Sequence, residues 1–247
     1  MALIKVTGIV MRYANYKDYD RILTLFTLQH GKISALARGA RRPKSPLLIA
    51  SEQFCMAEYV LIKTNDRYII STCSILDSFY NIRSDIDSYY AASYFSAVCQ
   101  TLIQEEQQEE QLYFIFAKLL AYLSHSESNK LANLIIAMCI LIDISGFKPD
   151  MKNCAKCGED LLVEEVYYDN ETGTFTCSSC HKPSDTKMSR SCYKALLYIF
   201  ENKEKSFAKI VMEDWLIKEM ISFLTKYIDI KLEKHLKQTN LLLSIIN

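Results

Sequence analysis

The chain has 247 residues, half of them apolar and 23% charged, which excludes wholesale disorder and allows one large domain or two modest ones. Six glycines and four prolines are too few for a collagen-like or linker-rich chain. Lys+Arg and Asp+Glu both count 29, so there is no globally basic coat.

The charge is unevenly placed. Residues 1–80 hold 11 basic and 6 acidic side chains, whereas residues 81–153 hold 5 and 9. A polyanion is therefore expected to dock on the front of the chain. Leu3 to Val10 is broken by Lys5 and Thr7 and does not read as a targeting segment. The longest apolar stretch, Leu134 to Ile142, has nine residues, against the roughly 20 that a membrane span needs. Nine cysteines, an odd number, suit a reducing compartment better than a disulfide framework. The chain is expected to be soluble and intracellular, with no membrane partner.

Five strands are expected within residues 1–80. In the first, ended by Arg12, Ile4, Val6 and Val10 share a face. In the second, Arg21, Leu23, Leu25 and Thr27 alternate with Ile22, Thr24, Phe26 and Leu28. His30-Gly31 turns the chain into a third strand, Lys32 to Arg38, which breaks at Gly39 to Pro46. Gln53–Lys63 and Arg67–Leu76 supply the last two. This short spacing suits a small barrel or sandwich, and five is the strand count of an OB barrel.

From about residue 85 the apolar period becomes helical. Tyr89, Ala92, Phe95, Cys99 and Leu102 mark one stripe, and Leu112, Ile115, Phe116, Leu119 and Leu123 another. Leu131 to Ile142 is apolar nearly all round and predicts a central buried helix, ended by Gly146 and Pro149. Cys192, Ala195, Leu196, Ile199 and Phe200 mark the next helix. A last long pair carries Ile210, Val211, Trp215, Phe223, Leu224 and Tyr227. The expected class is α+β: a five-stranded OB-fold barrel over 1–80, then a helical bundle over 81–247 with a cysteine module inserted at 152–183.

Cys154-x₂-Cys157 and Cys177-x₂-Cys180 are separated by 19 residues, a spacing that fits one structural zinc ion. Two residues between cysteines let both thiolates turn toward one tetrahedral ion. Gly158 relieves the turn, and Lys156 brings positive charge to the thiolates. Glu164–Tyr168 and Gly173–Thr176 are expected to form a hairpin across Asp169 to Thr172. A redox C-x-x-C is the alternative, but it needs a single pair at a helix start. His181 could replace one cysteine, although four already complete the site. Cys55, Cys73, Cys99, Cys139 and Cys192 read as core residues.

Lys32, Arg38, Arg41, Arg42 and Lys44 lie within Leu28 to Pro46 with no acid among them, and Arg12 and Lys17 are expected close by. These residues form either a solvated loop or a DNA-binding turn. The OB barrel and the shaping glycine and proline favour the second. Tyr13, Tyr16 and Tyr19, assigned to the first connection, either stack on bases or pack on the barrel.

At these residues the chain resembles the RecO family of recombination-repair proteins. The resemblance lies in Gly8-Ile9-Val10, Tyr16 to Thr27, His30-Gly31-Lys32-Ile33 and Arg38-Gly39-Ala40-Arg41-Arg42-Pro43-Lys44-Ser45. It continues in Gly146 to Asp150 and the two cysteine pairs, and spans essentially the whole chain. It implies an OB domain, a helical domain and a zinc finger. It also implies binding of single- and double-stranded DNA and annealing of complementary strands. Partners would be RecR, often RecF, and the single-strand binding protein SSB, for loading RecA recombinase. The SSB tail would dock on the helical domain, with Lys194, Lys205, Lys209 or Lys218 at a pocket rim. The location would be cytoplasmic, at the nucleoid.

The sequence holds few parts of an enzyme. Gly31-Lys32 is followed by Ile33, not by the Ser or Thr of a phosphate loop, and no glycine lies five residues before Gly31. No H-E-x-x-H or G-x-S-x-G occurs. Glu105, Glu106, Glu109 and Glu110 sit among glutamines and read as solvated surface rather than as a nuclease site. A DNA mediator without catalysis is expected. The alternative is a zinc-stabilised protein–protein adaptor whose barrel does not bind DNA.

Overall fold

The computed structural model describes residues 2–64, 67–127, 129–162, 165–202, 207 and 210–246. The chain divides into two compact units, residues 1–126 and 127–247. Among the described residues no helix is long and apolar enough to cross a membrane.

In the first unit, β1 (Ala2–Tyr16), β2 (Asp20–Thr27), β3 (Gly31–Ala37), β4 (Met56–Thr64) and β5 (Arg67–Asp77) close a barrel in the order β1-β2-β3-β5-β4. All pairs are antiparallel except β3–β5, which is short and parallel at Ala35–Tyr68 and Leu36–Ile69. The expected alternation fills the interior with Val6, Val10, Leu23, Leu25, Ile33, Tyr59 and Leu61. Burying each such side chain contributes about 1.5–3 kcal/mol. The four-residue α1 (Leu47–Ala50) adds Leu47 and Ala50 to the same core.

Two expectations about β1 are corrected. Arg12 does not end the strand, which runs on to Tyr16, so Tyr13 and Tyr16 belong to β1 and not to a connection. The pairing register with β2 also shifts between Val10 and Arg12, the mark of a β-bulge at Met11. Val10 pairs with Leu25, whereas Arg12 pairs with Thr24. Strict alternation would aim Arg12 at the interior, as Val10 is; the extra residue turns it outward.

Strands give way to helices where the period changes, at α2 (Tyr80–Ser84), α3 (Ile86–Leu102) and α4 (Glu110–His125). These helices belong to the same compact unit as the barrel. The barrel's outer surface is partly apolar and needs them. Phe26 is fully buried and meets Tyr113 edge-on at 5.3 Å, and the Ser96 hydroxyl donates to the Met11 carbonyl at 3.3 Å.

The second unit holds α5 (Lys130–Ile144), a three-stranded sheet, α6 (Arg190–Glu201), α7 (Asp214–Lys231) and α8 (Lys237–Ser244). The Asn129 side chain caps α5, and every residue from Ala132 to Ile142 is buried, as the apolar run predicts. The last helices are shorter than expected. Val211 lies outside them, 95% exposed, and Trp215 is half exposed.

The connection from α3 to α4 is docked on the barrel. The Glu106 amide donates to the Lys32 carbonyl at 3.0 Å, and a Cβ on Gly31 would lie 1.7 Å from the Gln107 carbonyl oxygen. Gly31 also sits at φ +60, so glycine is required twice over. Gly31→Ala should therefore lower stability by about 2–4 kcal/mol in urea unfolding followed by circular dichroism. An unchanged midpoint would show that this docking contributes nothing.

Candidate nucleic-acid interface and metal centre

The six cations expected to meet DNA fall in two places. Arg38, Arg41, Arg42 and Lys44 occupy the turn after β3, where all four are exposed and none is in an ion pair among the described residues. The turn is held in shape. Gly39 takes φ +64 and its amide donates to the Asp20 carboxylate at 2.7 Å. The Arg41 amide donates to the Tyr19 carbonyl at 2.9 Å, Arg42 closes back on the Gly39 carbonyl, and Ala40 is buried in the barrel core. The turn thus rests against the β1–β2 turn, which carries Lys17.

Arg12 and Lys32 are elsewhere, on the outer face of β1, β2 and β3. There they line a recess of about 260 Å³ with Ala14, Ile22, Thr24 and Ser34, and Gln100 and Glu105 stand at its side. Arg12 donates from Nε to the Thr24 hydroxyl at 3.2 Å. Lys32 donates to the Gln100 carbonyl at 3.1 Å and lies 3.5 Å from the Glu105 carboxylate. The five cations from Lys32 to Lys44, expected on or next to one turn with no acid between them in sequence, are divided by the fold: Lys32 lies on β3, and its acidic neighbour Glu105 comes from a distant part of the chain.

The tyrosines separate as well. Tyr13 is stacked by the Arg21 guanidinium at 3.9 Å. Arg21 is buried and donates to the Ser51 carbonyl and hydroxyl and to Glu52 at 2.8 Å, so this pair closes the barrel end. Tyr16 and Tyr19 are 40% and 50% exposed, with Lys17 and Arg42 over their rings at 5.3 and 5.4 Å. They stand at the tip beside the basic turn. Arg21 joins the basic groups around these rings only through the fold, whereas Lys17 follows Tyr16 directly in the chain.

In the second unit the two cysteine pairs converge. The sulfur atoms of Cys154, Cys157, Cys177 and Cys180 lie within 4.8 Å of one another, the one such gathering of His, Cys, Asp or Glu among the described residues. Four sulfurs about 2.3 Å from one tetrahedral ion stand about 3.8 Å apart, and the Sγ atoms of Cys157 and Cys177 are 3.7 Å apart. The donor set fits a four-coordinate, closed metal site. Gly158 turns the first pair at φ +77, its amide donating to the Cys154 carbonyl. Lys156 reaches the Cys180 carbonyl at 2.5 Å and ties the two pairs together.

Burial alone would raise the Cys154 thiol, but amides of Cys157, Cys177 and Lys156 outweigh it and bring it down to about 6. Contacts with the Cys157 and Cys177 thiols push Cys180 up to about 12. Four thiolates in contact need a cation among them. His181, the alternative to one of the cysteines, is not in this gathering, and its ring lies flat on Tyr167, 4.0 Å between centroids. Cys55, Cys99, Cys139 and Cys192 are buried, as expected of core residues, and burial pushes Cys55 up to about 12. Cys73 is only half buried.

The hairpin forms as β6 (Val166–Tyr168) and β7 (Phe175–Cys177), with Tyr168 opposite Phe175. Glu164, expected to begin it, lies outside the described residues. Cys177 ends β7 and is not in a loop. A third strand, β8 (Thr186–Met188), pairs with the other edge of β6 and has no signal in its own three residues. An aromatic cluster seats the module on the helices: Phe175 and Tyr168 meet Phe223 of α7 at 5.6 and 5.0 Å. Gly173 is required here, since a Cβ would lie 2.8 Å from the Tyr227 ring.

Barrel, helices and four-cysteine module together define an OB-fold protein with a helical region that bears a candidate metal finger. The family description "Recombination protein O N terminal" matches residues 1–79, and "Recombination protein O C terminal" matches residues 83–240. The DNA repair protein RecO of Acetivibrio thermocellus is 32% identical over 237 residues, covering 95% of this chain and 94% of that protein. RecO of Caldicellulosiruptor saccharolyticus is 30% identical and covers 96% of each. RecO of a Thermoanaerobacter species is 27% identical over the full length of both. The chain belongs to the RecO family of DNA repair proteins.

Elemental analysis of protein purified without chelator should find about one tetrahedral-thiolate metal per chain. Cys177→Ser should lower that content and the melting temperature together, because metal binding is coupled to folding. A metal-free protein that melts like the untreated one would remove the structural role.

Proposed function

We propose that this protein is a DNA-repair mediator without catalysis. Its barrel holds single and double strands by their phosphates and brings complementary strands together. In the RecF pathway it acts in the cytoplasm with RecR, and with RecF where present, to help load RecA on strands covered by SSB. The observation that carries this reading is the basic turn. Four exposed cations with no acidic partner among the described residues, Arg38, Arg41, Arg42 and Lys44, stand on a turn held in one shape, in a chain of a DNA-repair family.

Annealing needs no nucleotide hydrolysis, because base pairing supplies the free energy. The protein has to reduce the repulsion between two phosphate backbones and let the bases meet. Phosphate contacts do this without reading sequence. Tyr16 and Tyr19, exposed beside the turn, supply flat faces for unpaired bases, and each such stack is worth about 1–3 kcal/mol. Tyr13 is occupied by Arg21 and serves the barrel instead.

The cysteine module holds one Zn²⁺ in a structural role. Four protein ligands leave no open position for catalysis, so the ion adds folding energy to the second unit. For an SSB tail, Lys194 on α6 and Lys218 on α7 are exposed, and Lys205 and Lys209 lie outside the described residues.

If the four turn cations each neutralise a phosphate, log K for a single strand should fall against log salt with a slope of about −3. Arg41→Glu with Arg42→Glu should flatten that slope, weaken binding alike for any base sequence and slow annealing. Stability should hardly move, since these groups are exposed. Fluorescence anisotropy over a salt series measures all of this. A folded double variant with unchanged affinity and annealing rate would favour the adaptor reading.

A further inference from the structure

By its sequence the acidic connection between α3 and α4 reads as solvated surface. In the structure it is fastened to the barrel beside the recess that holds Arg12 and Lys32. Two neighbouring glutamates divide the work. Glu106 is the anchor: its carboxylate accepts from the Tyr68 hydroxyl at 2.7 Å and lies 3.5 Å from the Lys63 ammonium. The Tyr68 hydrogen bond is the main reason its carboxyl is held below the usual range. The Glu106 amide also bonds to the Lys32 carbonyl, and Gln107 packs over Gly31. The Glu105 backbone is bridged in parallel to Lys32, so the residue is held at the barrel, while its carboxylate takes no part in the fastening. It is two-thirds exposed, and the ion pair with Lys32 at 3.5 Å is its one side-chain contact described. Lys32, by contrast, is only 16% exposed in its side chain and is fixed in place by the Gln100 carbonyl.

We propose that Glu105 is a built-in counter-anion, held over the strand-binding face so that an incoming phosphate must displace it to reach Lys32. This rests on the reading of the barrel as the DNA-binding domain and states how that site is regulated. The recess then binds by exchange. One carboxylate leaves as one phosphate arrives, so Lys32 adds little net affinity. Arg12, whose described partner is a neutral hydroxyl, stays available at the same recess. A strand is held firmly at the turn and loosely on the recess, which suits a protein that must give strands up to a partner strand.

The test is single-strand binding by anisotropy over a salt series, with melting curves to show that each variant is folded. Glu105→Gln, with Glu105→Ala as a second variant, should tighten binding about two- to fivefold at low salt, the value of one partly exposed ion pair. The salt slope should steepen by about 0.7, one added phosphate contact. Glu110→Gln makes the same charge change at the exposed start of α4 and should do neither. Lys32→Gln should abolish the whole gain in the Glu105→Gln background. The proposal falls if Glu105→Gln matches the native chain while Arg41→Glu/Arg42→Glu weakens binding. It also falls if Glu110→Gln tightens binding as much, or if the gain survives Lys32→Gln. Should the double arginine reversal have no effect either, the DNA-binding reading fails first and takes this proposal with it.

Discussion

The course of β1 through the N-terminal unit depends on the bulge at Met11. A 15-residue strand has to serve two neighbours. The first half of β1 pairs with β4 from Ala2 to Ile9, and the second half pairs with β2 from Gly8 to Tyr16. A straight strand cannot turn that corner in a five-stranded barrel. The extra residue bends it, and the Val10 amide and carbonyl meet Cys55 and Phe54 at the bend. The same residue reverses the facing of everything after it. Val10 stays in the core and Arg12 comes out over Thr24. The bulge that closes the barrel therefore also puts a cation on its outer face.

Closure decides the rest of the charge map. Interior positions are filled by apolar side chains, so cations are confined to strand ends and the outer face. Arg21 is the exception. It lies at the barrel end, and its charge is met by Glu52, Ser51 and the Tyr13 ring. A buried charge with these partners is structural, since removing one partner would leave the other charge uncompensated. The outer face is shared between apolar area covered by α3 and α4 and a polar recess with Lys32 and Glu105 facing each other. On the turn beyond β3, Arg38, Arg41, Arg42 and Lys44 have no acidic partner among the described residues.

The second unit is governed by a comparable economy. Its small sheet has three strands of three residues each, too short to stand alone. Two things compensate: the four cysteines gathered at one end, and the ring cluster of Phe175, Tyr193, Phe223 and Tyr227 at the base. The module is therefore joined to α6 and α7 through its rings. The cysteine cluster lies at the end of the sheet farthest from that support.

The sequence by itself determined what short-range physics controls. Alternation set the five strands, a solid apolar run set α5, and paired cysteine spacing set the four-cysteine cluster, because each is decided within a few residues. Gly31, Gly39 and Gly158 were legible as turns for the same reason. Only the tertiary structure decided which charges are free. Lys32 and Glu105 are 73 residues apart, and no local pattern joins them. The bulge at Met11, the pairing of β8 and the burial of Arg21 likewise come from barrel closure and sheet pairing. In each case the partner is distant in sequence, so spacing along the chain cannot report it.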